Sequence, residues 1–383
     1  MQIHGTLGRL TAVVASAIAL GLGSCGPSPT PTEETTSLEG NPPAAEAALQ
    51  VVTTFLPMTQ FTKAVVGDRA EVTQLLPTNV GPHDYQAKPE DALAIANADV
   101  LVQNGLELEF FLEDLIANAG DTDLVIIDSS EGINTLVFEE AGHSHAEEDH
   151  DHDHDHAEGE DHDHAEGEDH DSDPTAQAKD DHHHHGEFDP HVWLDPKRAI
   201  DQVENIRDGL IAVDPEGEAE YTANAAAYIE QLQTLDTDIA ELLAPYAGQT
   251  FVSFHDFAFY FADSYGLNAE YLVDIPEENP SPEDVRRIIE ITQAENIKAL
   301  LTEPQAGEEA FDSLAKDLNV QVSVFDPMET GEPAATEPEY YLTIMRQNAA
   351  SLKDAFGDSP QSWLYPWLLQ PVATLPQRTS QWF

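Results

Sequence analysis

Between Ala219 and Leu243 the chain runs for 25 residues without a proline or a glycine. Apolar side chains recur there at helical spacing, at Tyr221, Ala225, Tyr228, Ile229, Leu232, Leu235, Ile239 and Leu242. A helix of that length reaches about 38 Å, roughly the span of two small lobes. One stripe of buried residues along such a rod needs partners over its whole length. The segments on either side supply them. Before it, "LQVVTTFLPMTQFTKAVVGDRAEVTQLL", "PEDALAIANADVLVQNG", "GLELEFFLEDLIANAG" and "DLVIIDSS" read as strand, helix and strand in repeated alternation, the last as a buried strand. After it, "TFVSFHDF", "NAEYLVDI", "SPEDVRRIIEITQAEN", "IKALLTEP", "GEEAFDSLAKDLN" and "VQVSVFDP" repeat the theme. Alternating strands and helices build parallel sheets. The expected fold class is therefore α/β, with two Rossmann-like lobes, 49–217 and 248–357, joined by one long helix over 218–247. "DPKRA" at Asp195–Ala199 offers an N-cap aspartate and a first-turn proline for another helix.

Two tracts stand outside this pattern. The first is the N-terminus, "MQIHGTLGRLTAVVASAIALGLGSC", with one arginine, a short apolar run and small residues before the chain's single cysteine. That is the pattern of a secretory signal peptide over 1–24, too short and too quickly polar for a membrane span. "LGSC" has the form of a bacterial lipobox, which makes Cys25 a lipidation site, and "GPSPTPTEETTSLEGNPPAAEA" then reads as a tether through residue 48. With one cysteine no intrachain disulfide exists. The expectation is an exported chain, in the periplasm or at the cell surface, leashed to a membrane.

The second tract, 139–185, holds 19 acidic residues against one lysine and carries thirteen histidines. They are His143, His145, His150, His152, His154, His156, His162, His164, His170, His182, His183, His184 and His185. Such a composition cannot build a packed core, so a loop disordered in the absence of metal is expected. A purification tag is excluded by its internal position and its interleaved acids. A spacer needs no histidine, whereas imidazole mixed with carboxylate suits a metal such as zinc. A formal net charge of −58 over 383 residues repels nucleic acid and anionic lipid and attracts cations.

Three histidines lie elsewhere in the mature region: His83 in "GPHDY", His191 in "DPHVW" and His255 at the end of the strand-like "FVSFHDF". Two follow proline, where the backbone is stiff and extended. In open α/β sheets ligands gather beyond the carboxyl ends of strands. Three neutral imidazoles meeting there would form a zinc site, with a carboxylate as fourth group. Asp326, at the end of "VSVFD", occupies the corresponding place in the second lobe. Taken singly, each histidine is better explained as a hydrogen-bonded structural residue, and no local metal motif links them.

The residues around them narrow the choice. "VTTFLPMTQFTKAVVGD", "GPHDYQAKPED", "NGLELEFFLEDLI", "DPHVWLDPKRA", "SFHDFAFYFADSYGL", "PSPEDVRRIIE" and "LLTEPQAG" occur in the order seen in one family. From Leu49 to Phe356 the chain resembles the metal-specific solute-binding proteins of ABC importers, most closely the zinc, ZnuA-type branch. That resemblance implies two lobes, a connecting helix and a metal in the interlobe cleft, held by His83, His191 and His255. Asp326 matches the aspartate that supplies the fourth position or stands near it, water being the alternative. Manganese-binding relatives usually carry glutamate where this chain has His255, so imidazole favours Zn²⁺. The family's histidine- and acid-rich loop stands where 139–185 stands here. Two departures occur: "HDFAFYFA" permutes the usual "HDAFGYFA", and "VFDPMET" lacks the glycine common after "DPL". The C-terminal "SPQSWLYPWLLQPVATLPQRTSQWF", 358–383 with the residue before it, falls outside the resemblance and reads as a tail whose aromatics cover a lobe surface.

The implied function is a monomeric, lipid-anchored receptor handing Zn²⁺ to the membrane subunit of an ABC permease, with no enzymatic activity and no nucleic-acid partner. Two other classes fit parts of the chain: a zinc-buffering or adhesin lipoprotein, and a zinc hydrolase using an open coordination position.

Overall fold

Alternating elements fill the chain in the order the hydrophobic pattern predicts. The computed structural model describes residues 49–83, 85–120, 123–137, 188–276, 279–295, 297–306 and 309–357. The signal, the lipidation cysteine Cys25 and the tether, the histidine-rich tract 139–185 and the tail 358–383 lie outside the described residues.

The first half comprises β1 (Leu49–Thr53), α1 (Leu56–Val66), β2 (Ala70–Gln74), α2 (Pro89–Ala96), β3 (Val100–Gln103), α3 (Phe111–Ala119) and β4 (Val125–Asp128). These strands form one parallel sheet in the order β2-β1-β3-β4. A 3₁₀ turn at Val192–Leu194 leads into α4 (Pro196–Val213), which begins on Pro196 with the Asp195 side chain accepting from the Lys197 amide, as the "DPK" sequence predicts. Next comes α5 (Glu218–Leu243), the long helix. The second half comprises β5 (Thr250–Ser253), α6 (Phe259–Tyr265), β6 (Asn268–Tyr271), α7 (Pro282–Glu295), β7 (Ala299–Thr302), α8 (Glu309–Leu318), β8 (Gln321–Val324) and α9 (Pro338–Phe356). Its parallel sheet has the order β6-β5-β7-β8, the same winding as the first.

Central strands are apolar on both faces because helices cover both. β5 and β7 are buried along their whole length. The run "VIID" of β4 departs from the buried strand expected of it. Val125 and Ile126 are 39% and 44% exposed, and only Ile127 sits in the core. β4 is the outer strand of its sheet, so one flank lacks a neighbour; an apolar run does not record that position.

α5 buries Tyr221, Ala225, Tyr228, Leu232, Leu235, Ile239 and Leu243. Ile229 and Leu242, expected on the same stripe, are only partly covered. The helix packs against α1, α4 and α9. α9 in turn touches α1 as well as β7 and β8, so two helices bridge the sheets. One continuous apolar core results, holding Val51 and Leu101 from the first sheet, Leu301 and Phe325 from the second half, Leu232 from α5 and Met345 from α9. A smaller cluster around Val252, Ile288, Leu300 and Phe311 fills the far side of the second sheet. Among the described residues no helix is long and apolar enough to cross a membrane.

In each sheet the chain first winds outward, from β1 to β2 and from β5 to β6, then reverses to β3 and β7. Reversal parts the loops at the carboxyl ends of the strands and opens a crevice there. Every candidate site residue described next comes from those loops.

Candidate metal centre

His255 stands two residues past β5, and Glu303 directly follows β7. His83 lies in the connection from β2 to α2, behind Pro82, and His191 precedes the Val192–Leu194 turn. Glu329 is five residues beyond β8. His83, His191, His255 and Glu329 bring one ligand atom each within 4.8 Å of one another, and this is the one such group among the described residues. All four side chains are buried. The imidazole rings face a common point, with centroids 5.5, 5.4 and 5.4 Å apart.

Glu329 Oε1 lies 3.0 Å from His83 Nε2, 3.5 Å from His191 Nε2 and 3.3 Å from His255 Nε2. A tetrahedral zinc with bonds of about 2.0 to 2.1 Å spaces its ligand atoms at about 3.3 Å. The carboxylate-to-imidazole spacings match that figure. His255 Nε2 and Glu329 Oε2 have no hydrogen-bond partner among the described residues although both are buried. Buried polar atoms are nearly always satisfied, so an orphaned imidazole nitrogen inside this group calls for a ligand.

The opposite side of two rings is fixed. His191 Nδ1 donates to Asp189 Oδ1 at 2.8 Å, and the same oxygen accepts the His191 amide at 2.9 Å. His255 Nδ1 donates to Glu303 Oε1, which also accepts the His255 amide at 3.1 Å, while Gln305 Nε2 donates to Oε2 at 2.6 Å. Pinning Nδ1–H in this way leaves the Nε2 lone pair for a metal. Burial draws the His83 imidazole down to about 4, with Glu329 only partly opposing. Burial also acts against the His191 cation, yet the bonds to Asp189 and Glu329 outweigh it and lift that group to about 9. His255 is likewise raised well above the ordinary imidazole range, against burial, by Glu303 and Glu329. Burial opposes the Glu329 charge, but the surrounding imidazoles hold its carboxyl well below the usual range.

Asp326, the carboxylate expected in fourth place, is not in this group. Its Oδ1 accepts the Met328 amide at 2.8 Å, and burial pushes its carboxyl up to about 7 against that bond. The Asn348 side chain holds both its backbone amide and its carbonyl. Met328 has φ +62°, a left-handed conformation that turns the chain so that the next residue, Glu329, reaches the imidazoles. The carboxylate that joins the three imidazoles is therefore Glu329, three residues beyond Asp326. A carboxylate in left-handed reach of the last strand carries no local sequence signal. Asp189 and Glu303 were visible only as acids near "DPH" and "TEP".

Comparisons with known proteins agree with this arrangement. A family model described as "Zinc-uptake complex component A periplasmic" matches residues 51–355. Zinc-binding protein AdcA of Streptococcus pyogenes serotype M3 is 32% identical over 317 residues, which cover 81% of this chain and 56% of that protein. The chain thus spans little more than half the length of that relative. High-affinity zinc uptake system protein ZnuA of Bacillus subtilis is 29% identical over 321 residues, covering 83% of this chain and 91% of that one. The crystal structure of the Zn(II)-bound ZnuA-like domain of Streptococcus pneumoniae AdcA superposes with a TM-score of 0.61 at 29% identity, covering 81% of this chain and 99% of that one. With fold, histidine cluster and family match in accord over most of the chain, it belongs to the ZnuA family of metal-binding solute-binding proteins.

Proposed function

We propose that this chain is the zinc receptor of an ABC uptake system, binding Zn²⁺ through His83, His191, His255 and Glu329 and passing it to a permease. The observation that carries this reading is the set of four buried protein groups whose ligand atoms lie within 4.8 Å of one another, the carboxylate 3.0 to 3.5 Å from each imidazole. A zinc hydrolase keeps one position open for water, whereas a site that stores or carries the ion fills all four. Three imidazoles and one carboxylate suit zinc better than the all-oxygen preferences of magnesium or calcium, and better than manganese. Cys25 would serve as the lipid anchor on the exported side, and 139–185 as a weak, multi-ion zinc store. The receptor reading is tested by competition titration against a chromogenic chelator. The wild type should bind one zinc ion tightly, and His255→Ala and Glu329→Ala should each lose that affinity by orders of magnitude while remaining folded. Full affinity in either variant would refute the assignment of that ligand. Hydrolysis of activated esters by the loaded protein, abolished in His255→Ala, would favour the enzymatic reading instead.

A further inference from the structure

The residue that sequence reasoning placed on the metal has another use. Asp326 is 6% exposed, and its Oδ1 accepts the amide of Met328. Met328 is itself fully buried and left-handed at φ +62°, which costs a non-glycine residue about 1 to 2 kcal/mol. Such a conformation persists only where neighbours over-determine it. The neighbours are present. Asn348 of α9 donates to the Asp326 carbonyl at 2.8 Å and accepts its amide at 2.9 Å. Trp193 Nε1, from the turn directly after His191, donates to the Pro327 carbonyl at 2.8 Å. On the far side the Gly331 amide donates to the Thr78 carbonyl at 2.6 Å. Glu329 thus sits in the middle of a strap pinned at 326, 327, 328 and 331, and its own Oε2 has no partner.

We infer that Asp326 is a positioning residue for the fourth zinc ligand: by capping the Met328 amide it sets the left-handed turn that aims Glu329 at the three imidazoles. This rests on the zinc-receptor reading above. It assigns to Asp326 an acceptor's task, which an amide oxygen performs as well as a carboxylate, rather than a ligand's task, which requires charge.

The test uses Asp326→Asn and Asp326→Ala, each alone and combined with Glu329→Ala, in the full chain. Zinc affinity is read by chelator competition, and the coordination sphere by the visible absorption of bound Co²⁺. Asp326→Asn keeps the acceptor and should bind within about 2-fold of wild type. Asp326→Ala should bind about 10-fold more weakly, in the range seen when groups that orient a metal ligand are removed. In the Glu329→Ala background Asp326→Ala should add almost nothing, and its Co²⁺ spectrum should already match that of Glu329→Ala alone. Equal losses in Asp326→Asn and Asp326→Ala, or the same loss with and without Glu329, would overturn the positioning role while leaving the ligand set standing. Wild-type affinity in Glu329→Ala would remove the ligand assignment itself, and the positioning role with it. Should Asp326→Ala fail to fold, Asp326→Asn decides alone, because a charged ligand could not be replaced by an amide without a loss of orders of magnitude.

Discussion

Replacing Glu303 by glutamine should change the pH dependence of zinc binding more than its strength. Glu303 accepts from His255 Nδ1 and from the His255 amide. Its carboxylate acts on two states at once. With metal bound, it would lie about 6 Å from a divalent ion, a Coulomb term of about 5 kcal/mol at an effective dielectric near 20. Without metal it stabilises the imidazolium of His255 at closer range, and one charge at about 3.5 Å gives about the same energy. The two nearly cancel wherever the metal-free site holds that proton. Zinc takes only the neutral ring, so each proton displaced makes the apparent affinity rise about tenfold per pH unit. His83, drawn down to about 4, is already neutral at pH 7. His191, lifted to about 9, and His255, raised well above its ordinary value, both give up protons. The wild-type slope of log K against pH should thus approach 2 near pH 7. In Glu303→Gln the first of the two raising partners is gone and only Glu329 remains, so His255 holds its proton less firmly and the slope near pH 7 should fall towards 1. The assay is chelator competition at half-unit pH steps, checked by calorimetry in two buffers of different ionisation enthalpy to count released protons. Parallel pH profiles for the two proteins, with equal proton release, would refute the reasoning.

Deleting 139–185 should reduce the number of zinc ions bound by mass spectrometry while leaving the tightest site unchanged by competition titration; loss of that site in a folded deletion variant would show that the tract supplies primary ligands. Glu107, exposed with φ +61°, follows two further positive-φ residues, Gly105 and Leu106. Glu107→Gly relieves about 1 to 2 kcal/mol of left-handed strain against about 0.5 to 1 kcal/mol of added unfolded-state freedom, so the midpoint of thermal unfolding should rise slightly rather than fall. Because α5 and α9 both bridge the sheets, zinc-free and zinc-loaded crystals should differ by loop shifts and small tilts; a wide rotation of one half against the other would contradict that bridging.

Much of this arrangement was legible in the residues. The uninterrupted stripe of α5 and the apolar runs of β1, β3, β5 and β7 recorded their burial directly, because helix and strand periods are local properties. The three histidines were legible because two follow proline and one ends a strand, at the edge where α/β sheets bind ligands. Position within a sheet was not legible. "VIID" has the composition of an inner strand and lies at an edge, since which flank stays open depends on winding order rather than on the strand itself. Glu329 was missed for a similar reason. Asp326 stands just past the carboxyl end of β8, and the turn that carries the chain onward is made by a methionine in a conformation usually signalled by glycine or asparagine. Asp326 stands three residues before Glu329, close enough along the chain to be expected in the place where the structure puts Glu329 among the imidazoles.

The apolar core that passes without a break from the first sheet through α5 and α9 into the second has a consequence for the lifetime of the molecule. Two halves sharing one core cannot open separately, so the chain should unfold as a single cooperative unit. Occupancy at one spot then protects every peptide bond in that unit: at a hundredfold excess of ion over Kd the added stability is about 2.7 kcal/mol. Where cleavage follows global opening, that corresponds to about a hundredfold fewer susceptible molecules. Proteases that meet the chain would clear its metal-free form and spare the loaded one, and the abundance of the protein would itself track the supply of metal.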